Sequence, residues 1–175
     1  MQRGKTFTLV ELLVVIAVIA LLAGIIFPVL KTMRDRGRKT QCINNLRQIG
    51  QVVNAYVLTS GGRLPDCIRI GTGPDDPCNT PNTIAPDLKK IFHCPSDLAE
   101  KYEGKTYFGR YGTSYEWNAW LNGRLLDKSD IGIQQMHVWS PLFGDADYFH
   151  GGTIKNYLWA DGRVDESGDP LIIQQ

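Results

Sequence analysis

Hydrophobic and polar positions divide this chain sharply. Nineteen consecutive uncharged residues, Leu12–Leu30, include only Gly24 and Pro28 outside the hydrophobic class. As a helix the stretch is about 28 Å long at ~1.5 Å per residue, enough to cross a hydrocarbon core of about 30 Å. Beyond it the apolar residues thin to a stripe. Cys42, Leu46, Ile49, Val53 and Tyr56 recur at helical spacing opposite Asn44, Arg47, Gln51 and Asn54, so the helix continues to about Val57 with one buried face. The Ser60-Gly61-Gly62 and Pro65 signals then stop it. Residues 66–89 read as an irregular loop rich in Gly and Pro, and Ser96 is placed to cap a short helix Asp97–Glu103. Four β-branched and aromatic runs follow as predicted strands: Thr106–Phe108, Thr113–Trp117, His137–Trp139 and Asn156–Trp159. Asp161-Gly162 marks a hairpin turn after the last of them. The predicted class is α+β: a long N-terminal helix, half transmembrane and half amphipathic, packed on a small antiparallel sheet.

Length and charge narrow the picture. At 175 residues the chain has room for one globular core, predicted over 59–175 after an amphipathic helix at 31–58. The apolar run argues against a freely soluble cytosolic enzyme. The formal charge of +1 gives no global basic excess, so no nucleic-acid partner is expected. The sign is uneven, however. Lys31, Arg34, Arg36, Arg38 and Lys39 follow the apolar run and form a predicted solvated collar at lipid headgroups. Counted against Arg3, Lys5 and the amino terminus, they alone would put the large domain in the cytoplasm. Four cysteines, Cys42, Cys67, Cys78 and Cys94, contain no CxxC pair and allow three pairings. Cys67–Cys78 would staple the loop and Cys42–Cys94 would tie helix to sheet; buried free thiols are the alternative.

Glu11 opens the apolar run, where a carboxylate needs a partner or a proton. Its surroundings, Gly4-Lys5-Thr6-Phe7-Thr8-Leu9-Val10-Glu11-Leu12-Leu13-Val14-Val15-Ile16-Ala17, resemble the processing motif of type IV pilins and type II secretion pseudopilins. The resemblance implies cleavage between Thr6 and Phe7 by a prepilin peptidase, leaving a leader of residues 1–6 and a membrane segment of 7–30. It also implies methylation of the new Phe7 amine, and neutralisation of that amine by Glu11 of a neighbouring subunit. Pro28 falls where many pilins have a helix-bending proline. Thr6 departs from the family, which has glycine before the cut. The implied placement is an inner-membrane single pass with a cytoplasmic N-terminus and a periplasmic globular domain. The implied partners are other pilin-like subunits, the peptidase, the inner-membrane assembly platform and lipid.

A second resemblance covers Cys42-Ile43-Asn44-Asn45-Leu46-Arg47-Gln48-Ile49-Gly50, Cys94-Pro95-Ser96-Asp97, and His150 with Asp161-Gly162. These blocks look like the pseudopilin-like proteins of planctomycete and related bacteria. That family usually has one residue fewer between the histidine and the aspartate than the ten that separate them here, Gly151 through Ala160. The physical reading of His150 is a hydrogen bond back across the hairpin. Asp145 and Asp147 are weak candidates for a metal, such as the Ca²⁺ that major pseudopilins hold in their C-terminal loops; otherwise no cofactor is expected. No GxSxG occurs, and His93 beside Cys94 matches no nucleophile–base arrangement. Trp117, Trp120, Trp139 and Trp159 fit core packing better than a carbohydrate-stacking face. The expected function is therefore assembly rather than catalysis: a pseudopilin-like subunit of a type II secretion-like machine. The alternatives are a minor subunit of a type IV pilus for adhesion or DNA uptake, and a signal-anchored periplasmic enzyme using His150, Asp145 and Asp147.

Overall fold

The computed structural model describes residues 8–69, 71, 73–98, 103–126, 141–150 and 154–167. It divides into two compact units, 1–37 and 38–175, and one helix, α1 (Leu9–Thr59), contributes to both. The predicted strand His137–Trp139 lies outside the described residues.

In the first unit α1 is apolar all round from Leu12 to Leu30. Side chains from Leu9 to Leu30 are exposed on every face, and none of the most apolar stretch is buried in the chain itself. Among the described residues this one helix is long and apolar enough to cross a membrane. Pro28 sits within it. Proline has no N–H to donate, so the Gly24 carbonyl loses its intrahelical donor, while Thr32 Oγ1 donates to the Pro28 carbonyl at 3.2 Å.

The second unit is built on the remainder of α1. Cys42, Leu46, Ile49, Val53 and Val57 are buried along one face, and Asn44, Arg47, Gln51 and Asn54 are exposed on the other. Val57 takes the innermost place that the stripe assigned to Tyr56, which is only half-buried, and the helix runs two residues further than expected. After it come two short helices, α2 (Thr80–Ile84) and α3 (Tyr107–Tyr111), and 3-10 turns at Pro86–Phe92 and Ala119–Leu121. Four antiparallel strands in sequential order make the sheet: β1 (Tyr115–Trp117), β2 (Phe143–Asp145), β3 (Lys155–Leu158) and β4 (Val164–Ser167). Trp117, Phe143 and Leu158 from the sheet join Phe92, Leu64 and Leu121 against the α1 stripe to form the core. Lys39 is not simply a solvated member of the basic cluster, since its ammonium pairs with Glu166 of β4 at 2.6 Å.

Two predicted elements are corrected. Thr106–Phe108 is not a strand: Thr106 Oγ1 accepts from Gly109 N at 3.0 Å and caps α3, which ends on Gly112 in the left-handed conformation. A β-branched residue followed by aromatics suits a strand by propensity, but here the cap decides. Nor does Ser96 start a helix at Asp97. Asp97 instead accepts hydrogen bonds from Tyr107 N at 3.0 Å and Phe108 N at 2.6 Å, so its carboxylate serves the N-terminus of α3. The irregular loop at 66–89 also holds more order than expected, because α2 and the start of the Pro86–Phe92 turn lie within it. The Asp161-Gly162 hairpin stands as read. Gly162 has φ +83°, and Trp159 N donates to the Arg163 carbonyl at 2.9 Å across the turn.

Gly144 pairs with Tyr157 across β2 and β3, and the tyrosine ring lies over it. A Cβ on Gly144 would stand 2.5 Å from Tyr157 Cε1. Gly144→Ala is therefore expected to cost about 1–3 kcal/mol through overpacking. Thermal melts in detergent would test this; an unchanged Tm would show that the ring moves aside freely.

Candidate functional site

Two separate places carry the sequence-predicted residues. At the start of α1, Thr8 and Glu11 form a reciprocal cap. Glu11 Oε2 accepts from Thr8 N at 2.9 Å and from Thr8 Oγ1 at 2.8 Å, and Glu11 N donates to Thr8 Oγ1 at 3.3 Å. This is a capping box, and its Ser/Thr-x-x-Glu signature was legible in Thr8-Leu9-Val10-Glu11, although the sequence reading passed over it. Within one chain Glu11 thus has a local partner. Thr6 and Phe7, the expected processing residues, lie outside the described residues.

The second place is buried. Cys42 on α1 and Cys94, just after the Pro86–Phe92 turn, form a disulfide, as expected. Around it the Asn45 amide donates to the His93 carbonyl at 2.8 Å and fixes the Cys94 segment to α1. Cys94 N donates to Ser114 Oγ at 3.1 Å, and Ser114 Oγ donates to Asp97 Oδ2 at 2.9 Å. Cys94-Pro95-Ser96-Asp97 therefore links the disulfide to the cap of α3. On the sheet side, Asp145 at the end of β2 has a fully buried side chain. Its Oδ2 accepts from Asn156 N and Nδ2, both at 2.8 Å, and lies 3.5 Å from His150 Nε2. The same His150 nitrogen is 3.7 Å from Cys94 Sγ. Burial, and then the Asp145 charge, push the Tyr115 phenol well above its ordinary range, so it stays neutral.

Several expectations are corrected here. His150 does not serve the Asp161 hairpin; it meets Asp145 and Cys94, whereas Asp161 Oδ1 accepts from Arg163 N inside its own turn. Of the two metal candidates, Asp145 Oδ2 meets Asn156 and His150, and Asp147 Oδ1 accepts from Tyr148 N at 2.8 Å. Cys67 and Cys78 are free thiols rather than a disulfide. Ile68 N donates to the Cys78 carbonyl at 3.1 Å, which brings the backbones together, but Cys67 is buried and Cys78 is exposed. The tryptophans divide as well. Trp117 packs edge-on against Phe143 in the core, Trp120 is 81% exposed beside a shallow cleft next to Glu116 and Lys155, and Trp139 lies outside the described residues.

Asn122 is a structural residue that the sequence reading missed. It accepts from Trp117 Nε1 and Cys67 N and donates to the Cys67 carbonyl. An asparagine before a single glycine reads as turn chemistry and carries no signal of such a role. Burial raises the Cys67 thiol above its usual range, which lowers its thiolate fraction. Alkylation of the native oxidised chain is therefore expected to label Cys78 alone, with Cys67 labelled only after unfolding. Equal labelling rates in mass spectra would contradict this.

These elements define an α+β protein of pilin-like architecture: a long N-terminal helix, apolar in its first half, followed by a four-stranded antiparallel sheet. Residues 5–27 match the prokaryotic N-terminal methylation motif, the prepilin-type signature. The chain thus carries a prepilin-type signature at the head of a membrane-capable N-terminal helix. No curated protein and no solved structure matches it.

Proposed function

We propose that this chain is a membrane-anchored pseudopilin-like subunit that assembles into a type II secretion-like pseudopilus after prepilin peptidase processing. The methylation motif at the head of a 51-residue helix carries the reading, because the apolar side chains of that segment find no cover among the described residues. Lipid covers them before assembly, and neighbouring helices cover them in a filament. Glu11 of one subunit pairs with the Phe7 amine of the next, which replaces two isolated charges in an apolar medium by one pair and sets axial register. The N-terminus is cytoplasmic and the second unit faces the periplasm, where a disulfide such as Cys42–Cys94 persists.

We read the role as non-catalytic, and the burial of the His150 and Asp145 side chains, 4% and 0% exposed, supports that reading. The test is the intact mass of the membrane-extracted protein after co-expression with an active prepilin peptidase. Loss of residues 1–6 with one methyl added on Phe7 is expected. A full-length chain, with a control substrate cut in the same cells, would overturn the processing step and with it the filament reading.

A further inference from the structure

We propose that the buried centre of Cys42, Cys94, His150 and Asp145 is a redox-gated zinc site: a disulfide when oxidised, and a two-cysteine, histidine and aspartate ligand set for Zn²⁺ when reduced. The ligand atoms of Cys42, Cys94 and His150 already lie within 4.8 Å of one another. In a tetrahedral zinc site, metal–ligand bonds of about 2.0–2.3 Å place neighbouring ligand atoms about 3.3–3.8 Å apart. His150 Nε2 stands 3.7 Å from Cys94 Sγ and 3.5 Å from Asp145 Oδ2, so two edges of that tetrahedron are in place. The Asp145 carboxylate stands outside the 4.8 Å cluster of the other three ligand atoms and the two sulfurs are bonded, so reduction must both separate the sulfurs and let them close on the aspartate.

The chemistry of the donors agrees. Two thiolates and an imidazole select zinc over the hard cations that carboxylates alone would take. Asp145 Oδ1 is buried without a hydrogen-bond partner, so the carboxylate keeps one oxygen for a ligand while Asn156 holds Oδ2. Asn156 anchors the aspartate through both its backbone and its amide, which leaves the carboxylate fixed while the sulfurs separate. The ligands come from α1, the segment after the Pro86–Phe92 turn, the end of β2 and the loop that follows it. A bound ion would therefore join the same elements as the disulfide. The redox step is balanced by a dithiol reductant, which passes two electrons and two protons to the two sulfurs and becomes a disulfide itself. Zn²⁺ then displaces the two thiol protons. The form present depends on the compartment facing the second unit, the disulfide under oxidising conditions and zinc under reducing ones. This inference rests on the second unit alone and does not depend on filament assembly.

The experiment uses the full chain in detergent, with Cys67→Ser and Cys78→Ser to remove the other thiols. It is reduced with a phosphine under argon and titrated with Co²⁺, then Zn²⁺. One Co²⁺ per reduced chain, with thiolate-to-cobalt charge-transfer absorption displaced by one Zn²⁺, is the expected result, and the oxidised chain should bind none. His150→Ala and Asp145→Asn should each weaken Zn²⁺ binding at least tenfold. A reduced chain that keeps its near-UV circular dichroism and binds no Co²⁺ overturns the proposal, as does binding unaffected by His150→Ala. If reduction alone abolishes the near-UV signal, Zn²⁺ should restore it, and failure to do so also overturns the proposal.

Discussion

Glu11→Ala is expected to leave the chain in the membrane and to abolish filaments. Removing the carboxylate forfeits its two hydrogen bonds with Thr8, a small loss of helix stability because the residue-11 amide still donates to Thr8 Oγ1. It also removes an ionisable group whose burial near the bilayer centre would cost about 3 kcal/mol, and less at the membrane edge. These terms oppose each other, and both are small beside the apolar surface of Leu12–Leu30, so insertion survives. Assembly does not, because the Phe7 amine of the neighbouring subunit would enter an apolar contact with no counter-charge. Thr8→Val separates the two roles, since it breaks the cap while retaining the carboxylate, and near-normal filaments are expected from it. Membrane fractionation together with electron microscopy of sheared filaments reads both outcomes. A normal filament yield from Glu11→Ala would refute the intersubunit pairing.

Cys42→Ala or Cys94→Ala should be the most destabilising single change in the second unit. The bond joins positions 52 residues apart, and closing a loop of that length in the unfolded chain corresponds to about 4 kcal/mol at 25 °C. Both residues are fully buried, so truncation leaves a core defect as well. Against a typical net stability of about 5–15 kcal/mol the loss is severe. With no metal added, Tm should fall on the order of 10–20 °C. Cys78→Ser, at an exposed position without a disulfide, should stay within about 0.5 kcal/mol of the parent. Comparative melts of the oxidised proteins decide the matter, and a loss below about 1 kcal/mol for Cys42→Ala would mean that the disulfide only records proximity.

Much of the fold was legible where a local pattern and its tertiary surroundings agree. The 3–4 spacing of Cys42, Leu46, Ile49 and Val53 describes a helix face whatever that face meets, and Asp161-Gly162 describes a turn through backbone chemistry alone. Thr106–Phe108 misled because its propensity suits a strand while its capping chemistry suits a helix. What tips the balance is Asp97, nine residues before Thr106, whose carboxylate accepts from two amides of the first turn of α3. Neither strand propensity nor the local capping rules reach across that separation. His150 misled for a related reason. Its sequence neighbour in the block is Asp161, but the chain fold gives it Asp145 and Cys94.

By itself the sequence determined the long apolar helix, the carboxylate at its head, the methylation motif, the amphipathic continuation and the α+β order, all of which depend on residue spacing along the chain. Tertiary structure decided which cysteines bond, which aspartates are buried and what His150 touches. The physical reason is distance. A disulfide or a buried ion pair needs two groups within a few ångströms, and it is the packing of α1 against the sheet that places Cys42 beside Cys94 while holding Cys67 inside the core and Cys78 at the surface.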